Sequence, residues 1–368
     1  MKIDTQLVQA GARWNPVLDV PGDGRPGVRR TLEAVVATIE GGGRAFAFSS
    51  GQVALHALLQ TFEPGSRILV TRDLHPDAWS LLEQAGASNR ILTIPVNTSD
   101  PASFREELEL GVTALIVENP SHLLLHGSDL RALAWEVHRR KGLLIADNTS
   151  LTPVLQRPLD FGADVVLHLG ARNLAGTTEV QAGFVVSRLS QLIARLERLH
   201  GTTAAQLSPF DAWQVLHGLK TLPLRLERQE SSASRIADWL STHPRVRRVH
   251  HPLAPDHPGR NALLQQAKGA GTTVSFEILE PVLVPGFLRA LRIWKASQGQ
   301  AGVESLVSIP TAHPQSDSLQ ALHKALGVGD DLVRLSVGIE DPQDLIDDLD
   351  QALSNPSSGF SEVWDYVI

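Results

Sequence analysis

Short apolar runs alternate with helix-period stretches through the first half of this chain, and few folds accept that pattern. The runs at 46–48, 67–70, 91–96, 114–117, 143–147, 165–169 and 183–186 are too short for buried helices, so they read as strands covered on both faces. Between them, 78–85, 103–110 and 129–140 show helical spacing. Ahead of the first strand, Leu32, Val35, Val36 and Ile39 fall on one helical face, and Gly41-Gly42-Gly43 stops that helix. The alternation predicts an α/β fold class with a large, mostly parallel sheet clad by helices.

After Pro209 the pattern changes. Residues 210–240 read as long helices in which Leu216, Leu219, Leu222, Leu224 and Leu226 supply apolar contacts. Strands are expected at 246–250, 273–278 and 333–337, and a helix over 342–353 closes a smaller C-terminal α/β domain. The expected organisation is an N-terminal arm at 1–30, a large domain over 31–225, a small domain over 226–354 and an aromatic tail at 355–368. The arm is rich in Gly, Pro and Arg and has no period. The tail carries Phe360, Trp364, Tyr366 and Ile368, which are expected to dock on the body or on a partner.

The 368 residues suffice for two such domains. Thirty-three Lys plus Arg against 40 Asp plus Glu gives a net charge of −7, which argues against a nucleic-acid or anionic-membrane binder. The absence of cysteine excludes disulfides, thiolate metal sites and cysteine nucleophiles. No run approaches the roughly 20 apolar residues of a membrane span, and the first residues show no signal-like run, so a cytoplasmic location is expected. The glycines at 41–43 are not followed by Gly-Lys-Ser/Thr and do not read as a nucleotide loop. Asp344, Asp347, Asp348 and Asp350 read as a solvated helix face, and His250, His251 and His257 as surface residues of the 249–258 turn.

Seven segments then stand in a telling order: Ser49-Ser50-Gly51; Ala146-Asp147-Asn148-Thr149 with Pro153; and 158–166, which reads Pro-Leu-Asp-Phe-Gly-Ala-Asp-Val-Val. They continue with Pro209-Phe210-Asp211-Ala212-Trp213, Gly218-Leu219-Lys220-Thr221-Leu222, Gly302-Val303-Glu304-Ser305-Leu306 and 334–341, which reads Arg-Leu-Ser-Val-Gly-Ile-Glu-Asp. Together they resemble the cystathionine γ-synthase, cystathionine γ-lyase and methionine γ-lyase family, the Cys/Met-metabolism enzymes that use pyridoxal phosphate (PLP). The resemblance covers 31 to 353 and implies a fold-type-I PLP-transferase-like architecture with an active site shared across a dimer. A homodimer or homotetramer is the implied assembly, and a paralogue or biosynthetic partner is a further candidate.

PLP chemistry needs a lysine amine for the covalent cofactor link and for proton movement on the substrate carbon. The family carries it in a Ser-x-Thr-Lys segment, which here reads Leu169-Gly170-Ala171-Arg172. The resemblance thus assigns the lysine position to Arg172, whose guanidinium cannot replace an amine in imine formation. Leu169 and Ala171 stand where the family has phosphate-binding hydroxyls. The arm's Tyr-x-Arg pair aligns with Pro21 and Asp23, with Arg25 nearby. His75 matches the ring-stacking tyrosine and His122 the asparagine of a Glu-Ser-Pro-type loop. Asp147 matches the partner of the cofactor's ring nitrogen, and Arg334 the residue that grips the substrate carboxylate. Ser50, Gly51 and Gln52 open a helix and form a residual anion site.

Each landmark also has a plain structural reading. Asp147 can cap the Asn148-Thr149 turn, Arg334 can pair with Glu304 or Glu340, and His168 can be a core histidine. Three functions remain open. The first is a pseudoenzyme scaffold that forms no covalent cofactor link, with no cofactor predicted and a filled or apolar pocket. The second is a cofactor-independent enzyme acting on a small carboxylate or anion through Arg172, His75, His122, Asp147 and Arg334. The third is a carbon–sulfur lyase or synthase with PLP held noncovalently. His75, His122 and Asp147 could form a facial metal site, but they come from separate loops without ligand spacing, and no metal is expected.

Overall fold

The computed structural model describes residues 27–89, 91–202, 205–297, 302–312 and 316–356. Pro21, Asp23 and Arg25 of the arm, and the aromatic residues of the tail, lie outside the described residues. Seven strands form the large sheet: β1 (Arg44–Phe48), β2 (Arg67–Thr71), β3 (Leu92–Val96), β4 (Ala114–Glu118), β5 (Leu143–Asp147), β6 (Val165–His168) and β7 (Gly183–Ser187). Their order is β1-β7-β6-β5-β4-β2-β3. Strands β3, β2, β4, β5 and β6 run parallel, while β7 is antiparallel to both of its neighbours.

Side-chain alternation along each central strand builds two cores. In β4, Leu115 and Val117 enter one apolar cluster with Leu32 and Val36 of the Val28–Glu40 helix. Ala114 and Ile116 enter the opposite cluster with Leu55 and Leu58 of the Gly51–Leu59 helix. Both faces are buried, which is why the strands read as nearly continuous apolar runs. The expected helix stop is observed: Gly41 adopts φ 71° and its N–H returns to the carbonyls of Ala37 and Thr38.

The expected helical stretch at 210–240 is two helices, Pro209–Leu219 and Leu222–Thr242. Ser208 caps the first, and Pro223 stands at the start of the second, where its missing N–H costs no helical bond. Leu224, expected to be an apolar contact, is instead exposed, because it lies on the outer face of that first turn.

A second sheet comprises β8 (Val246–His250), β9 (Thr273–Ile278), β10 (Lys295–Ala296), β11 (Leu306–Ser308) and β12 (Leu332–Ser336), in the order β10-β11-β12-β9-β8. It is antiparallel except between β10 and β11. Val274, Phe276, Val333 and Leu335 pack beneath Ile236 and Leu240 of the Leu222–Thr242 helix and Leu345 and Leu349 of the Pro342–Ser354 helix. The fold class is therefore the expected α/β arrangement of one large, mostly parallel sheet and one smaller sheet.

Two surface expectations are corrected. His250, His251 and His257 are buried, because the 250–259 turn packs against the 119–128 loop rather than facing solvent. Asp348 is also buried: its carboxylate accepts the N–H groups of Arg292, Ile293 and Trp294. The neighbouring Asp344, Asp347 and Asp350 are exposed as expected.

Candidate active site

In a parallel sheet, ligands bind beyond the carboxyl ends of the strands, where loops diverge and backbone dipoles are uncompensated. A cavity of about 320 Å³ lies there, lined by Ser50, Gly51, Gln52, His75, Glu118, Asp147, Thr149 and Arg172, with Leu169, Ala171 and Gln181 among the other wall residues. The structure thus brings Arg172, His75, Asp147 and the Ser50–Gln52 segment to one wall-to-wall space.

Ser50 caps the Gly51–Leu59 helix, its side chain accepting the N–H of Val53 at 3.2 Å. Gly51 lets that helix start press on the turn that leads to Arg172. A Cβ on residue 51 would sit 1.9 Å from the Leu169 carbonyl oxygen. Arg172 begins the short Arg172–Ala175 helix and is half-buried, and burial lowers the pKa of its guanidinium.

Asp147 ends β5. Its Oδ1 accepts the N–H of Thr149 at 2.9 Å and the Thr149 hydroxyl, so it caps the turn and lines the cavity at once. Burial, then the neighbouring Glu118, pushes its carboxyl up to about 7. Glu118 ends β4 in direct register with Asp147. Its Oε2 accepts the His75 N–H at 2.8 Å, and burial pushes its carboxyl up to about 8. Burial also lowers the His75 imidazole, with His122 adding to the shift.

His122 and Arg334 do not line the cavity. The His122 ring stacks edge-on behind His75, with centroids 4.5 Å apart, and its carbonyl accepts Arg334 Nε at 3.1 Å. Arg334 is buried in β12 beside Glu118 and Asp73. The acids proposed for it are engaged elsewhere: Glu304 pairs with Lys295, and Glu340 accepts from Ser305. His168 takes its core role, with Nε2 2.6 Å from Glu40 Oε1. Among the described residues no group of three or more His, Asp or Glu side chains is arranged to hold a metal ion.

The sequence did not point to Glu118 or Gln181 as site residues, and it placed Thr149 only in the turn after Asp147. The available signal was positional: Glu118 is the last residue of a parallel strand, as Asp147 is.

A large, mostly parallel sheet with a cavity at its strands' carboxyl ends, joined to a smaller, mostly antiparallel sheet, defines an α/β protein of an enzyme-type fold. The profile of the "Cys/Met metabolism PLP-dependent enzyme" family matches residues 24–354, and the chain belongs to that family. It is 35% identical over 347 residues to a chloroplastic cystathionine β-lyase of Mimosa pudica, spanning 94% of this chain and 76% of that protein. It is 34% identical over 328 residues to a cystathionine γ-lyase of Bacillus subtilis (strain 168), spanning 89% and 86%. The crystal structure of cystathionine γ-lyase from Lactobacillus plantarum complexed with L-serine superposes with a TM-score of 0.89 at 29% identity, covering 97% of this chain and 99% of that one. The family is PLP-dependent. No described helix is long and apolar enough to cross a membrane.

Proposed function

We propose that this chain is a member of the family that makes no covalent link to PLP, and that it persists as an oligomeric relative of trans-sulfuration enzymes whose cavity holds a small ligand noncovalently. The observation that carries this reading is the side chain at the cavity wall: Arg172 lines it, and none of Lys141, Lys220, Lys268, Lys295 or Lys324 does. A guanidinium stays protonated far above neutrality and supplies no free amine. Leu169 and Ala171 add apolar surface where hydroxyls would serve a phosphate. PLP anchored through a lysine does not fit this set of side chains.

The cavity is neither filled nor apolar, which favours ligand binding over a purely structural body. The Glu118 and Asp147 carboxyls, raised to about 8 and about 7, stand in the range useful for proton transfer. They support the second reading, a cofactor-independent reaction on a small anionic or carboxylate substrate that Arg172 would hold. A lyase with PLP held noncovalently has no comparable support from the cavity wall.

Borohydride reduction in the presence of PLP, followed by peptide mass mapping of the full chain, tests the proposal. The expected result is no adduct at a cavity residue in the native protein and an adduct at position 172 in Arg172→Lys. A reduced adduct on a cavity residue of the unaltered chain would overturn it.

A further inference from the structure

We propose that the contact between the 119–128 loop and the 250–259 turn is an acid-released clamp, closed while its histidines are neutral and opened when they take up protons. This goes beyond the reading of the cavity and does not depend on what the cavity binds.

The clamp joins the 119–128 loop and the 250–259 turn through one backbone bond and one histidine side chain. Gly127 N–H donates to the Pro258 carbonyl at 3.0 Å, and His257 Nε2 donates to the Leu124 carbonyl at 2.8 Å. The two glycine turns approach so closely that a Cβ on Gly259 would sit 1.9 Å from the Gly127 oxygen. From the large sheet, the Asp73 carboxylate holds the same loop by accepting from Ser121 Oγ, Leu123 N and Leu124 N at 2.6, 2.9 and 2.8 Å.

Three histidines at or near this contact each carry a buried ring nitrogen with no acceptor for a second proton. Because His257 donates through Nε2, its Nδ1 carries the lone pair, and that atom is buried with no partner. His251 Nε2 and His323 Nδ1 are likewise buried and unpartnered. Protonating any of them puts a charge and a new N–H where nothing accepts it. The His126 ring meets His257 edge-on at 5.5 Å, so their charges would also repel.

The surrounding charges do not rescue these rings. Arg72, Arg248 and Arg334 face the cluster from the segment after β2, from β8 and from β12, and each disfavours a further cation. The opposing acids are Asp73, Glu277 on β9, which serves His250 at 2.9 Å and Arg247, and Asp238 near His251. Asp73 already accepts three bonds. Burial outweighs the acids: His251 and His257 are lowered to about 4, and His126, His250 and His323 are lowered as well.

The sign follows from linkage. A histidine lowered in the closed form is fully stabilising to that form above its ordinary value of 6.5, and the contribution is lost as pH falls toward about 4. At about pH 5 each such residue shifts the balance toward the open form by on the order of tenfold. Opening also loosens the loop whose His122 ring backs His75 on the cavity wall.

Hydrogen exchange of the full chain at about pH 7.5 and about pH 5, corrected for intrinsic rates, tests the clamp. The expected result is a loss of protection of about tenfold or more in 121–128 and 251–259, with no loss in 114–118 and 143–147, where protonation of Glu118 and Asp147 favours the fold. His257→Gln keeps a donor for the Leu124 carbonyl but cannot titrate, and it is expected to reduce the acid-induced loss at least about threefold. The clamp is refuted if acid leaves both segments protected, if all four segments lose protection together, or if His257→Gln responds as the native chain does. Should that variant fold poorly, the order of loss in the native protein still decides.

Discussion

Glu118 and Asp147 are register partners at the carboxyl ends of β4 and β5, and both carboxyls line one cavity. Neighbouring strands lie about 4.8 Å apart, and paired residues of a parallel ladder project to the same face. Burial raises both carboxyls; Glu118 raises Asp147 further, while Asp73 is the acid that adds to the shift of Glu118. Glu118 and Asp147 thus form one unit at the cavity, with carboxyls raised to about 8 and about 7.

That unit sets a pH dependence. A carboxyl raised from 4.5 to about 8 stabilises the fold below about 4.5, and the contribution is lost as pH rises toward about 8, since the unfolded chain ionises first. Between about pH 5 and about pH 8, Glu118→Gln is expected to gain roughly 2–4 kcal/mol of stability relative to the native chain. Urea unfolding of both proteins at the two pH values measures it, and parallel curves would show that Glu118 titrates normally.

Arg225 holds the backbone that presents Arg172. Its buried guanidinium donates to the carbonyls of Asn173, Leu174 and Gly218 at 2.7, 3.2 and 2.9 Å. A lysine cannot reach three carbonyls with one fork, so Arg225→Lys is expected to cost about 2–4 kcal/mol. Exchange at residues 173–176 should rise more than in the β5 core, and unchanged protection there would remove the positioning role.

Glu40 anchors the inner layer beneath the site. Its Oε1 accepts from His168 Nε2 at 2.6 Å and Asn148 Nδ2 at 2.9 Å, all three side chains being buried. Glu40→Ala leaves both donors without that acceptor and is expected to cost about 3–5 kcal/mol, with Glu40→Gln milder because an amide oxygen can still accept. Thermal unfolding of the two variants should rank them in that order.

Asp348 and Asp347 make a paired comparison on one helix. Asp348→Ala deprives three successive N–H groups of their acceptor and should cost about 1–3 kcal/mol. The exposed Asp347 should tolerate alanine within about 0.5 kcal/mol. Equal effects in denaturant titrations would contradict the buried cap.

The strands of the large sheet were legible because burial on both faces leaves its mark within each run: 143–147 is expected and observed as β5 with the same ends. The short β10 and β11 were not anticipated, since strands of two and three residues carry no period to read. The family motifs were legible for a similar reason, being local strings in a fixed order. They brought Asp147, His75 and Arg172 to one place, while Arg334 and His122, assigned by the same strings, stand behind the cavity wall.

The chain's covalent order by itself determined the sheet-forming runs, the family and the guanidinium at position 172, because each is encoded in residues adjacent along the backbone. Tertiary structure alone decided that Glu118 meets Asp147, that the histidines of the 250–259 turn are buried against the 119–128 loop, and that Asp348 caps a distant turn. Those pairings join residues tens to more than a hundred positions apart. Strand register and the docking of one sheet on the other fix such distances, and neither is a property of any local stretch of sequence.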